Sequence, residues 1–333
     1  MRTHTITSFQ SSRWRHILLA SLLTLLAPAL WAQNYPEKPI KLVVSFTAGG
    51  TTDILAREVA NQLTQRWGVS VVVENKPGAA GNLGTEIVGR AAPDGYTLLA
   101  NSFGPIAINP TLFKNLAVNP HTELQPVAML AEVPTVLVVP TSLGIQTLAD
   151  LLKYAKAHPD EMSYGSTGIG TAAHMTGFLF SQRTNMNALH VPYKGGGQQI
   201  TDALAGHVEV LSVNAGPAVM AHVRQGRLRA LAVGAPARLD SLPQVPTLEQ
   251  AGFANANLSS VFGLFAPART PAQVVARLNL EVNRVLQQAE FRRRLLQADI
   301  LPTGGSSVTF VQHLAQESQH NARVIQAARI QAD

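Results

Sequence analysis

Twice in this chain a short apolar run enters a glycine-rich turn and leaves it as an amphipathic helix: "SFTAGGTTDILAR", residues 45–57, and "MSYGSTGIGTAAHMTGFLF", residues 162–180. A strand that feeds directly into a helix is the building unit of a parallel sheet covered by helices. In the first unit "IKLVVSF" is the strand, and Ile54, Leu55, Val59, Leu63 and Trp67 form a helical stripe that ends at Gly68. "VSVVVEN" reads as a second strand, "KPGAAGNLG" opens a short helix to about Arg90, and "YTLLANS" follows the Pro93-Asp94-Gly95 turn as a third.

The apolar stretch "LQPVAMLAEVPTVLVVP", interrupted by Pro134, suits a crossover between two domains better than one continuous strand. Thr147 then opens a helix with Asp150 placed for a capping box. After the second strand–glycine–helix unit come strands at "ALHVPY", "VEVLSVN" and "LRALAVG", and helices begin near Gly197 and Pro217. "VFGLFAPA" reads as a returning strand; Thr270 is placed to cap a helix with Pro271 at its first position, and a last helix starts at about Ser306. The pattern predicts two α/β lobes joined by two crossings, one lobe from residues 33–132 plus 259–333 and the other from 133–258, with a cleft between them.

The ends of the chain differ in kind from its middle. Arg2, Arg13 and Arg15 precede the uncharged run Ile17–Leu30, too short for a membrane span and right for the apolar region of a signal peptide. Ala27-Pro28-Ala29 and Ala32 offer small-residue cleavage sites, so residues 1–32 read as a leader and the chain as an exported, periplasmic protein. The complete absence of cysteine excludes disulfides, thiolate metal sites and a lipid-attachment cysteine. Of the formal net charge of +6, three units belong to the leader arginines, which leaves +3, too mild for a nucleic-acid partner. Arg292-Arg293-Arg294 falls in a helical stretch and reads as a solvated face.

The two glycine junctions carry the functional signal. A strand-to-helix turn exposes unpaired N–H groups at the positive end of a helix dipole, and so can hold an anion without a lysine or arginine beside it. Gly49-Gly50-Thr51-Thr52-Asp53 lacks both nucleotide fingerprints, G-x-G-x-x-G and G-x-x-x-x-G-K-[ST]; Thr51 and Thr52 are neutral donors, and Asp53 reads as the cap of its helix. "YGSTGIGT" half-matches a nucleophile elbow, since Gly168 fits but position 164 is Tyr, and this leaves a hydrolase using Ser166 with His174 as the rival reading. The simpler one is a second anion cradle with Ser166, Thr167 and Thr171 as hydroxyl donors beside the N–H groups of Gly168 to Thr171. His174 and His190 have no partner at metal-ligand spacing and read as structural; Lys194 precedes Gly195-Gly196-Gly197, the reverse of a phosphate loop, and reads as a turn carrying a surface charge.

With both junctions in place, the chain resembles the Bug family, the TctC-like extracytoplasmic receptors of tripartite tricarboxylate transporters. The resemblance rests on "YPEKPIKLVV", "AGGTTDILAR", "VVVENKPGAAGNLGTEIV", "PDGYTLLA", "YGSTGIGTAAHMTGFLF", "HVPYKGGGQQITDALAGHVE", "GRLRALAV" and "RLDSLPQVPTLEQAGF", in order over nearly the whole chain after the leader. It implies a two-lobed, type II Venus-flytrap binding protein with two mixed, mostly parallel sheets and a hinge, without cofactor, metal or catalysis. It also implies a monomer that holds a small carboxylate and passes it to permease subunits or to a sensor ectodomain. Carried over, the ligand loops are Ser45–Asp53, with Phe46, Ala48, Gly49, Gly50 and Thr51, and Ser166–Thr171, with Thr167, Gly168 and Gly170, followed by His174. Ala48 stands where many members have proline, and Ser102, Phe103, Asn214 and Ser260 are placed at the distal end of the ligand by their positions at predicted strand ends.

Overall fold

The computed structural model describes residues 35–253 and 258–331, so the leader read in residues 1–32 lies outside the described residues. The chain divides into Met1–Glu37 and Lys38–Asp333, and every element discussed lies in the second unit.

The first strand–glycine–helix unit forms as its pattern predicts. β1 (Ile40–Val44) is buried on nearly every residue, as a strand covered on both faces must be. α1 (Thr51–Trp67) buries Leu55, Ala56, Val59, Ala60 and Leu63, and it stops where the Gly68 N–H turns back to the Thr64 carbonyl. β2 (Val71–Asn75), α2 (Asn82–Gly89) and β3 (Thr97–Ser102) follow, with β1 parallel to both β2 and β3. In the second unit β5 (Ser163–Ser166) enters α4 (Ala172–Thr184) and lies parallel to β6 (Leu189–Pro192) and β7 (Val210–Asn214). Between them α3 (Leu148–Ala157) begins at Thr147 with its capping box to Asp150 complete.

The strand order β2-β1-β3-β9-β4-β7-β5-β6, in which β4 is Leu124–Pro140 and β9 is Ser259–Pro267, shows what the repeat achieves. β1 lies between β2 and β3, and β5 between β6 and β7, so the chain reverses its direction of winding at the carboxyl end of each. Open α/β sheets leave a crevice at such switch points, and both glycine loops sit there.

β4 (Leu124–Pro140) joins the two halves, and here the structure corrects the sequence reading: it is one continuous strand of 17 residues. Leu124–Pro134 pairs with β9 (Ser259–Pro267), whereas Thr135–Pro140 pairs with β7 and with β8 (Leu228–Gly234). Pro134 is tolerated because it stands where the partners change, and its carbonyl is still used by the Ala215 N–H. The returning crossing runs beside the first, with Ser259 and Ser260 opposite Pro134 and Val133.

Past this point successive β4 side chains feed opposite cores. Val136 and Val138 pack with α5 (Gly196–Leu204) and α6 (Pro217–Arg224) through Ile200, Ala203, Val219 and Met220. Leu137 and Val139 face Leu151, Tyr164 and Phe180, as the two-residue period of a strand requires. The return strand leads into α7 (Ala272–Leu286) and α8 (Ala289–Gln297). Thr270 does not cap α7; Pro271 holds the cap position, and the Thr270 hydroxyl donates to the Pro267 carbonyl.

The last helix, α9 (Ser307–Ala328), is capped by Ser306 and touches both halves. Phe310 and Leu314 pack with Val43, Leu99 and Phe265, while Ile325 and Ala328 pack with Met175 and Leu179 of α4. No helix among the described residues is long and apolar enough to cross a membrane.

Because Ile325 sits in the cluster that ties α9 to α4, truncating it leaves a cavity. Ile325→Ala is expected to cost about 2–5 kcal/mol in urea unfolding. Val311→Ala, on the exposed face of the same helix, should stay within about 0.5 kcal/mol.

Candidate functional site

The first loop is held open from behind by a carboxylate. Asp53 is buried in the first turn of α1, and the cap position belongs to Gly50, which uses no side chain. Asp53 accepts the Gly49 N–H at 2.9 Å, the Arg57 guanidinium at 3.0 Å and the Asn75 amide at 2.9 Å. Asn75 also donates to the Phe46 carbonyl. Burial alone would raise the Asp53 pKa; the bonds from Arg57, Gly49 and Asn75 outweigh it and hold the group below its usual 3.8. The net pins the backbone on both sides of Gly49, whose φ of +79° suits glycine. Asp53 is therefore neither the helix cap nor a wall of the cleft. Ser45 also turns away, packed where a Cβ on Gly84 would overlap its hydroxyl.

The second loop has its own support. The Ser166 hydroxyl, fully buried, lies 2.7 Å from His190 Nε2 and accepts the Gly168 N–H at 3.1 Å. The hydrolase reading pairs Ser166 with His174, but His174 Nδ1 instead accepts the Gly170 N–H at 3.2 Å. That bond leaves the ring proton on Nε2. The two imidazoles stack 4.3 Å apart, with Tyr164 stacked on the far side of His190. Burial, with a smaller contribution from His190, pushes the His174 pKa down to about 3. Thr171 caps α4, accepting the His174 N–H and donating to the Gly168 carbonyl, so its hydroxyl proton is already committed.

Between the loops lies a narrow cleft, partly open to solvent. It gathers Phe46, Gly50, Thr51, Thr167 and Thr171 from the loops with Ser102, Asn214 and Ser260 from the strand ends. Ser45, Ala48, Gly49, Asp53, Ser166, Gly168, Gly170 and His174 do not line it. Thr52, Gly195, Gly196, Val213 and Phe262 complete the wall. Gly195 and Gly196 are where the sequence reading saw only a surface turn; the three-glycine run opening α5 was the available signal. The Thr47 N–H reaches the Lys194 carbonyl at 3.4 Å, and a Cβ on Gly195 would overlap the Thr47 hydroxyl, so this turn closes against the first loop.

Among the described residues, no charged or histidine side chain lines the cleft. Instead α1, α4 and α5 all begin at it, and α1 and α5 have no side-chain cap. Their first-turn N–H groups and dipoles make the cleft electropositive without a formal charge. The Ser260 hydroxyl donates to Asn214 Oδ1 at 2.6 Å, and among the described residues the buried Ser102 hydroxyl finds no hydrogen-bond partner. Such a surface is suited to holding a small anion by neutral donors. Among the described residues no group of three or more His, Cys, Asp or Glu side chains is placed to hold a metal ion.

The chain is similar to several known proteins. A family model described as tripartite tricarboxylate transporter family receptor matches residues 55–330. Protein BugT of Bordetella pertussis is 36% identical over 263 residues, 79% of this chain and 80% of that relative. A solved structure of an R. palustris protein with adipate superposes with a TM-score of 0.86 at 33% identity, covering 89% of this chain and 99% of that one. MatC from Rhodopseudomonas palustris with bound malate gives 0.82 at 29% identity, over 87% of this chain and 100% of that one.

The loop glycines are separable by experiment. Gly170 has a φ of +71°, and a Cβ there would overlap the Asn109 amide oxygen. Gly170→Val should therefore lose about 2 kcal/mol or more in urea unfolding. Gly50, at φ −77° with its nearest neighbour at 3.4 Å, should accept valine with a stability change of about 0.5–1 kcal/mol. A second expectation concerns pH. His174 is neutral when folded down to about pH 3 but takes up a proton near 6.5 when unfolded. The unfolded state therefore binds more protons across that window, and stability falls as pH is lowered through it. His174→Gln should flatten this limb in a pH series of thermal unfolding.

Proposed function

Because the chain belongs to the tripartite tricarboxylate transporter receptor family, we propose that it is a periplasmic solute-binding protein that captures a small organic carboxylate and delivers it to membrane permease subunits. The observation that carries this reading is the cleft itself: two switch-point loops, three helix starts and no charged side chain. A carboxylate fits it because each oxygen accepts several N–H or O–H bonds in a plane, whereas a cation would meet the wrong end of every helix dipole.

The magnitudes are adequate. A hydrogen bond to a charged group contributes about 1.5–3 kcal/mol. Four or five such bonds, less the cost of ordering and closure, reach micromolar affinity or tighter, about 8 kcal/mol. Donors are at hand in the first-turn N–H groups of α1 and α5 and the hydroxyls of Thr51 and Thr167. Solved relatives with adipate and with malate support a carboxylate as the ligand class.

Capture in this reading is closure of two lobes, 33–132 plus 259–333 against 133–258, about the paired crossings at Pro134 and Ser259. The change of strand partner there supports it. The Thr47 to Lys194 contact is then a latch of the closed form. The leader read in residues 1–32 supplies export.

Calorimetric titration against mono-, di- and hydroxycarboxylates tests the proposal. Stoichiometric binding without turnover is expected. Gly50→Val should weaken it tenfold or more, at least ~1.4 kcal/mol, and Lys194→Ala by less than about threefold, ~0.7 kcal/mol. Loss of binding in Lys194→Ala with normal binding in Gly50→Val would overturn the neutral-donor account.

A further inference from the structure

A second, small cavity shares Ser102 and Ser260 with the carboxylate cleft. Its remaining wall includes Phe103 and Ala172, and α9 contributes Glu317 and Asn321. Among the described residues, neither cavity is lined by a lysine, arginine or histidine, and Glu317 is the one charged residue in either wall. Its carboxylate receives a single long contact, 3.4 Å from the Asn321 amide, which donates a shorter 2.8 Å bond to the Glu317 carbonyl. Among the described residues no basic side chain pairs with it. Between the two ends, Ser102 is 8% exposed and its hydroxyl lacks a hydrogen-bond partner. A buried hydroxyl left unpaired in a wall common to two cavities points to a ligand or water that spans them.

We propose that the acid held in the cleft carries a single carboxylate and, at its other end, a hydrogen-bond donor, hydroxyl or ammonium, that meets Glu317 and Asn321 of α9. The inference rests on the carboxylate reading of the cleft and adds the chemistry of the far end. The uncapped starts of α1 and α5 both lie at the first cavity, where a single carboxylate can engage the two together. A second carboxylate reaching past Ser102 would face Glu317 with no cation to compensate, and a like charge at close range disfavours the ionised form. A donor in the same place gains a charge-assisted bond to the glutamate. The apolar walls between, Phe46 and Phe262 in the first cavity and Phe103 in the second, suit a methylene stem. Selectivity then has two parts: attraction for the donor and repulsion of the matched diacid.

The test is a titration of the intact protein with pairs of equal chain length: adipate against 6-aminohexanoate and 6-hydroxyhexanoate, and succinate against 4-aminobutanoate and 4-hydroxybutanoate. At the length that binds better, the amino or hydroxy acid should bind at least tenfold tighter than the diacid. Glu317→Gln keeps the side-chain shape and should narrow that ratio at least tenfold, chiefly by gain for the diacid, with an unchanged melting temperature. A diacid that binds the native protein as tightly as its partners, or a ratio unmoved in folded Glu317→Gln, overturns the proposal. If binding occurs and Gly50→Val weakens it while the ratio stays fixed, the Glu317 assignment alone is wrong. If none of the acids binds, the carboxylate reading fails and this inference falls with it.

Discussion

The site depends on helices that begin at glycine. α1 starts from Gly50 and α5 from Gly195, neither with a side-chain cap. Elsewhere capping is mixed: α3 and α9 are closed by Thr147 and Ser306, whereas α2, α6, α7 and α8 carry no side-chain cap. An uncapped helix start costs stability, because its first N–H groups lack protein partners. Here those groups face a cleft, where a carboxylate can take the place of the missing caps. α4 departs from the pattern: Thr171 caps it, so the His174 N–H and the Thr171 hydroxyl proton are already committed.

Holding such starts in place requires rigid support behind them. In the first loop Asp53 gathers Gly49, Arg57 and Asn75, and Asn75 extends the net to Phe46. In the second, Ser166 and the stacked pair His190 and His174 do the same for Gly168 and Gly170. Both supports lie outside the cleft wall, so Asp53, Arg57, His174 and His190 position the two loops from behind. The continuous β4 strand, changing partners at Pro134, supplies the connection between the two halves.

The fold was legible because its signals are local. The strand–glycine–helix units, the Thr147 capping box and the stop at Gly68 each occupy a few neighbouring residues, and their repetition implied the switch points. What could not be read depends on distant pairings. Ser166 and His190 meet because β5 and β6 align Tyr164 with His190 and Ser166 with Pro192, a register no spacing in the sequence announces. Gly195 and Gly196 became cleft wall only when the turn closed on Thr47, and Glu317 reached the second cavity from the far end of the chain. Asp53 looked like a cap because caps favour aspartate, yet a first-turn aspartate reaching back to Gly49 has the same composition. Gly170 stands in a predicted ligand loop, and both its φ of +71° and the adjacent Asn109 side chain favour glycine there, a contact that the sequence does not announce.

The central claim is that backbone N–H groups at the starts of α1 and α5 hold the ligand's carboxylate. Amide proton chemical shifts of the labelled protein, followed during titration with a binding carboxylate, report on those groups directly. The account predicts the largest downfield shifts at Thr51, Thr52 and Gly196, with the Lys194 ammonium unchanged. Shifts centred on lysine or arginine side chains, with these amides unmoved at saturation, would contradict it.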